Sequence, residues 1–126
     1  MHMNKSFWIR IIAVSGLLSV ALGAFAAHVL DAVLAEARMQ TFYTAVHYQI
    51  YHTLALLGIV CLPDNVLQLR WKTYAARSML SGIALFSGSL YLLIATDIKA
   101  LAMITPVGGT AFMIGWVSLF VAAARS

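Results

Sequence analysis

From Ile11 to Leu30, and again from about Phe42 to Leu62, the chain contains no Asp, Glu, Lys or Arg. Each stretch has the ~20 residues a helix needs to cross a ~30 Å hydrocarbon core. Two further runs meet the same demand, from about Ala75 to Thr96 with Arg77 at its edge, and from about Ala100 to Ala124. In lipid the backbone must satisfy its own hydrogen bonds, which a helix does. Of the 126 residues 63% are hydrophobic and only 10% charged, against about 25% charged in a soluble domain. A soluble bundle would confine its apolar residues to stripes, whereas here they run all round each segment. The sequence therefore predicts an all-α integral membrane four-helix bundle, one domain over 1–126 with spans at about 11–30, 42–62, 75–96 and 100–124. Short connections make consecutive helices antiparallel neighbours.

Lys5 and Arg10 before an apolar run ending in Ala24-Phe25-Ala26 imitate a secretory signal with a small-residue cleavage site. The run is long for a signal, and it is expected to stay as the first span. Lys and Arg accumulate in cytoplasmic loops. Lys5 and Arg10 precede the first span, Arg70, Lys72 and Arg77 lie around the second connection, and Arg125 follows the fourth, leaving Arg38 and Lys99 for the other side. Both termini are thus predicted to be cytoplasmic, with Trp8, Trp71 and Tyr74 as interfacial belt residues. The net charge of +4 is scattered among membrane ends and forms no patch for nucleic acid. Cys61 is the only cysteine, so there is no disulfide framework, and it reads as a small buried hydrophobe.

Helices in lipid associate through small residues. Ser15, Ser19, Gly23 and Ala27 recur every fourth position. Gly108, Ala111, Gly115, Ser118 and Ala122 form a second seam, with Gly109 beside it, and Ala75, Ser78, Gly82 and Ser89, with Gly88, a looser third. Pro106, in Thr105-Pro106-Val107-Gly108-Gly109, has two readings: a helix start, or a local break whose freed backbone lines a cavity.

The second span carries Thr44-Ala45-Val46-His47-Tyr48-Gln49-Ile50-Tyr51-His52. Polar groups inside the hydrocarbon are costly and usually face a protein interior. At ~100° per residue, Thr44, His47, Tyr48, Tyr51, His52, Ala55 and Gly58 share one arc, opposite Val46, Ile50, Leu54 and Leu57. With His28 at the end of the first span, this predicts a polar pocket in the outer half of the bundle, to which Ser87, Ser89, Tyr91 and Thr105 contribute. The competing reading is a hydrogen-bonded network that fixes helix register. His47 and His52 point ~140° apart and do not chelate one ion. Haem between His28 and a second-span histidine has no other support, and no intramembrane carboxylate is present for ion movement. Paired carboxylates, an activated serine or cysteine and a His-Glu-x-x-His run are all absent. No cofactor or metal is expected.

Four motifs in register, Gly23-Ala24-Phe25-Ala26-Ala27-His28, Tyr48-Gln49-Ile50-Tyr51-His52-Thr53-Leu54-Ala55, Phe86-Ser87-Gly88-Ser89-Leu90-Tyr91 and Thr105-Pro106-Val107-Gly108-Gly109 followed by Gly115-Trp116, resemble the YgdD-like family of small inner-membrane proteins, a domain of unknown function. The resemblance covers nearly the whole chain. It implies a four-span bundle in the bacterial inner membrane and brings no catalytic residue, substrate or cofactor. His28, Tyr48, Gln49, His52, Ser87, Ser89, Tyr91, Thr105 and Pro106 coincide with its motifs, while His47 falls outside them. The expectation is a non-enzymatic protein that self-associates or serves a larger membrane assembly. The alternative is a carrier or receptor for a lipid or quinone in the outer-half pocket.

Overall fold

The Asn4 side-chain oxygen accepts the backbone N–H of Phe7 at 3.1 Å, capping a helix whose first donors have no partner of their own. A computed structural model of the chain describes residues 3–123. It is all-helical over them: α1 Lys5–His28, α2 Glu36–Cys61, α3 Leu69–Gly82, α4 Gly88–Thr96 and α5 Thr105–Ala123, with no strand among the described residues. A π-helical turn, Ile83–Ser87, joins α3 and α4 into one rod from Leu69 to Thr96, so the bundle has four rods. Ala124 and Arg125, which the sequence places at the end of the last span, lie outside the described residues.

Three stretches are long and apolar enough to cross a membrane: Lys5–Ala32, Leu69–Thr96 and Lys99–Ala123. The 26-residue α2 has the length, but its two histidines, two glutamines and three tyrosines dilute its apolar character. The same helix contributes the most buried residues, because it lies in the middle of the packing. α1 packs chiefly along α2, and α5 packs along α3 and the π turn.

Two apolar clusters hold the ends. Met3, Trp8 and Ile12 meet Leu56, Ile59 and Val60 of α2 and Ala75, Ala76 and Met79 of α3. At the other end Ala26 meets Met39, Phe42 and Val46, with Leu22, Tyr91 and Ile94 against them. Asp97 closes α4 in the left-handed region at φ 56°, which Asp tolerates better than most residues. Arg38 holds that turn, donating to the Ile94 carbonyl at 2.8 Å and to the Asp97 carboxylate at 3.1 Å.

Several residues sit differently from the sequence reading. Trp8 is buried in the first cluster rather than lying in an interfacial belt. Trp71 and Tyr74, read for the same belt, stack edge to face with Arg70 over both rings, a contact that does not conflict with that reading. Cys61 is exposed, because it falls on the α2 flank that also carries the exposed Leu54 and Leu57. Lys72, counted among the loop charges, is fully buried. Its ammonium donates to the carbonyl of Leu62, the residue closing α2, at 2.9 Å and approaches Asp64 at 3.4 Å. In the small-residue series of α1, Ser15 and Ser19 are buried and Gly23 meets Val46, but Ala27 is exposed and Ala26 takes the interior place.

Candidate functional site within the bundle

The buried face of α2 carries Ala45, Val46, Gln49, His52, Thr53, Leu56, Ile59 and Val60. Relative to the arc read from the sequence, the helix is turned by about a third of a revolution, at ~100° per residue. Val46, assigned to lipid, is buried, while Thr44, His47, Tyr48, Tyr51 and Gly58, assigned to the interior, are exposed. His28 is exposed as well. The histidines therefore do not converge on one outer-half pocket.

The interior polar groups form three separate sets. In the first, Gln49 joins three rods. Its Nε2 donates to the Ser15 carbonyl at 3.0 Å and to Ser15 Oγ at 3.2 Å, and its Oε1 accepts from the Tyr91 hydroxyl at 2.6 Å. Thr53 donates its only hydroxyl proton to the Gln49 carbonyl, so the 2.7 Å contact between Ser15 and Thr53 has Ser15 as donor. Ser19 donates back to the Ser15 carbonyl.

The second set lies around the π turn. Ser87 donates to the Ala45 carbonyl at 2.6 Å. Ser89 donates to the Phe86 carbonyl, which leaves Thr105 to donate to Ser89 at 2.6 Å and tie the start of α5 to α4. Pro106 stands in the first turn of α5, where its missing N–H breaks nothing. Gly108 lies so close to the Phe86 backbone that a side chain would collide with it, and Gly82 lies in the same way against the Phe112 ring. Gly115 meets Met79, with 3.1 Å left for a β-carbon, whereas Gly109 and Gly88 have room.

His52 makes the third set. Its ring stacks on Phe112 with centroids 3.6 Å apart. Trp116 Nε1, which can only donate, reaches His52 Nε2 at 3.2 Å. Nε2 is therefore an acceptor, and the proton sits on Nδ1, which donates to the Tyr48 carbonyl at 2.8 Å. The imidazole is neutral, with both nitrogens engaged. Among the described residues no buried side-chain polar atom lacks a partner, and no three His, Cys, Asp or Glu gather as metal ligands.

Two features remain open, and the sequence reading found neither in its right place. One is the row on α2 in which the exposed His47 and Tyr51 follow the half-buried Tyr43, stacked at 6.0 and 6.1 Å, with the exposed Tyr48 beside it. The other is a groove of about 470 Å³ between α1 and the α3 rod, with Gln49 at its floor and Arg10 along it. A groove is a relation between rods and leaves no local sequence signal.

Residues 22–109 match the family model described as "Protein of unknown function (DUF423)". The UPF0382 membrane protein YwdK of Bacillus subtilis is 43% identical over 113 residues, covering 90% of this chain and 92% of the relative. The UPF0382 inner membrane protein YgdD of Escherichia coli K12 is 38% identical over 123 residues, 98% of this chain and 93% of the relative. A UPF0382 membrane protein of Haemophilus influenzae is 42% identical over 117 residues, 91% of each. No solved structure matches the chain. With three helices able to span a bilayer and relatives named as inner membrane proteins, this is an inner-membrane protein, and it belongs to the DUF423 family of membrane proteins of unknown function.

Proposed function

We propose that this protein is a non-catalytic, four-span, single-domain bundle that acts by association within the membrane, and that the associating surface is the aromatic row of α2. The carrying observation is the exposure of polar side chains at hydrocarbon depth. Tyr51 is 57% and Tyr48 41% exposed, His47 is exposed between two stacked tyrosines, and none of the three side chains has a hydrogen-bond partner among the described residues. A hydroxyl or imidazole facing lipid lacks even water as a partner, so such groups are normally covered by protein. The row carries donors and an acceptor together, and Gly58 beside it leaves open space. Two copies placed face to face through a twofold axis can pair one tyrosine hydroxyl of each copy with the single acceptor nitrogen of the other's His47.

The topology behind this reading is antiparallel with both termini cytoplasmic. Its support is that the first turns of α1 share a cluster with the last turns of α2 and the first of α3, at the end where Lys5, Arg10, Arg70, Lys72 and Arg77 gather. An amphiphile site in the outer half has less to support it, since His28 and His47 point outward and His52 is fully engaged.

Native mass spectrometry and blue-native sizing of the protein extracted in mild detergent test the association. A dimer that His47→Leu and Tyr51→Leu convert to monomer is the expected result. A wild-type protein that stays monomeric and brings no partner overturns the proposal.

A further inference from the structure

The groove beside α1 has the length, lining and charge of a site for one lipid. On α1 its wall is Phe7, Arg10, Ile11, Val14 and Leu18, with Ser15 between; these spacings of three and four form one stripe. From Phe7 to Leu18 the stripe runs about 16 Å at 1.5 Å per residue, about half of a ~30 Å hydrocarbon core. The groove therefore serves a single leaflet. Leu80 and Ile83 make the facing wall. Its floor is Gln49, level with Ser15; the Gln49 amide is already held by Ser15 and Tyr91 and asks nothing of a ligand. The volume of about 470 Å³ accommodates on the order of 15 groups of water's size at ~30 Å³ each, close to one acyl chain. It persists because α1 packs chiefly on α2 and leaves its flank toward α3 unfilled.

Arg10 stands toward the membrane-surface end of the stripe. On the other side of Phe7 a second cleft, of about 320 Å³, is lined by Arg77, Thr73 and Asn4. Among the described residues no ion pair neutralises either arginine. We propose that the α1–α3 groove binds one anionic phospholipid, its acyl chain along Val14 and Leu18 and its phosphate at Arg10. Which leaflet supplies it depends on the orientation proposed above; the chemistry of the site does not.

The full-length protein in detergent is mixed with equal amounts of phosphatidylglycerol and phosphatidylcholine of matched chains, and retained lipid is counted by native mass spectrometry. The wild type retains one phosphatidylglycerol in about fivefold preference, the factor expected from one arginine at a membrane surface. Arg10→Gln keeps a lipid but lowers the preference below about twofold. Val14→Trp or Leu18→Trp, at exposed positions where helix content is checked by circular dichroism, fills the groove and loses both lipids. Equal retention of the two lipids by the wild type overturns the proposal, as does wild-type retention in both tryptophan variants. Displacement of the lipid by millimolar glycerol phosphate also overturns it, since the site would then recognise phosphate alone. The same spectra report oligomeric state separately, so failure of lipid binding is not confused with failure of association.

Discussion

Replacing Gln49 by leucine removes three hydrogen bonds from the middle of the bundle: two from Nε2 to Ser15 and one accepted by Oε1 from Tyr91. Inter-helical bonds in membranes average ~0.6 kcal/mol, so the three together contribute about 2 kcal/mol. Their loss is uneven. Ser15 Oγ still donates to Thr53, and the Ser15 carbonyl keeps its bond from Ser19, whereas the Tyr91 hydroxyl is left with nothing at a partly buried site, where an unmade bond costs ~1–3 kcal/mol. Gln49→Leu is therefore expected to destabilise by about 2–4 kcal/mol, and Tyr91→Phe, which deletes one bond and leaves Oε1 unmet, by about 1 kcal/mol. Because both changes break the same Tyr91–Gln49 bond, the double variant should cost less than the sum by at least about 0.6 kcal/mol. Equilibrium unfolding of the four proteins in mixed detergent measures the cycle. Costs that add within ~0.5 kcal/mol would show the two side chains to be uncoupled and refute the network.

Gly108→Ala and Gly88→Ala make a matched pair, since alanine is intrinsically the better helix former by up to ~1 kcal/mol. At Gly88 a β-carbon meets nothing, so the melting temperature should stay level or rise; at Gly108 it meets the Phe86 backbone and should cost about 1–3 kcal/mol by forcing α5 off the π turn. Equal melting temperatures would contradict that close approach. Lys72→Met deletes the donor that closes α2 at Leu62 and is expected to cost about 1–2 kcal/mol, part of the bond's worth being offset by relief of a buried charge. The exposed Arg70→Met should stay within about 0.5 kcal/mol of wild type, so thermal scans in which the two variants coincide would remove Lys72 from the fold's support.

The rods were legible because hydrophobic length is a one-dimensional property. Ile11 to Leu30 holds no charge to interrupt a span, the last run starts its α-helix at Thr105 after a 3-10 turn over Lys99–Met103, and small residues at spacings of three and four mark close contacts, of which Gly108 and Gly82 are the tightest. The helix faces were harder to read. Periodicity assigns polar residues to the interior, but on α2 they spread from Tyr43 and His47 on the outer side to Gln49 and Thr53 on the inner one, and a circumference that is polar over much of its width has no single polar direction. The π turn itself has no mark in the sequence. Its extra residue turns the downstream rod by ~100° relative to a continuous α-helix, and what stabilises it is tertiary, a serine reaching Ala45 and a glycine on another rod. Lys72 was misplaced for the same reason: its partner is a carbonyl that only the folded turn brings near.

Polar groups in this bundle divide by whether their bonds close inside it. Those of Gln49, Ser15, Thr53, Tyr91 and His52 close, through bonds that run between rods. Those of His47, Tyr48, Tyr51 and Arg10 do not, and they mark two separate surfaces. Gln49, the floor of the groove, lies two positions from both His47 and Tyr51, hence about 160° away from each around α2 at ~100° per residue. The aromatic row and the groove consequently open on opposite sides of the same helix. A second copy docked on the row would leave the groove free, and an acyl chain in the groove would leave the row uncovered. Tyr51→Leu should then change the oligomeric state while the lipid preference set by Arg10 is preserved; loss of both together would mean that the two surfaces are one, with the groove completed by the neighbouring copy.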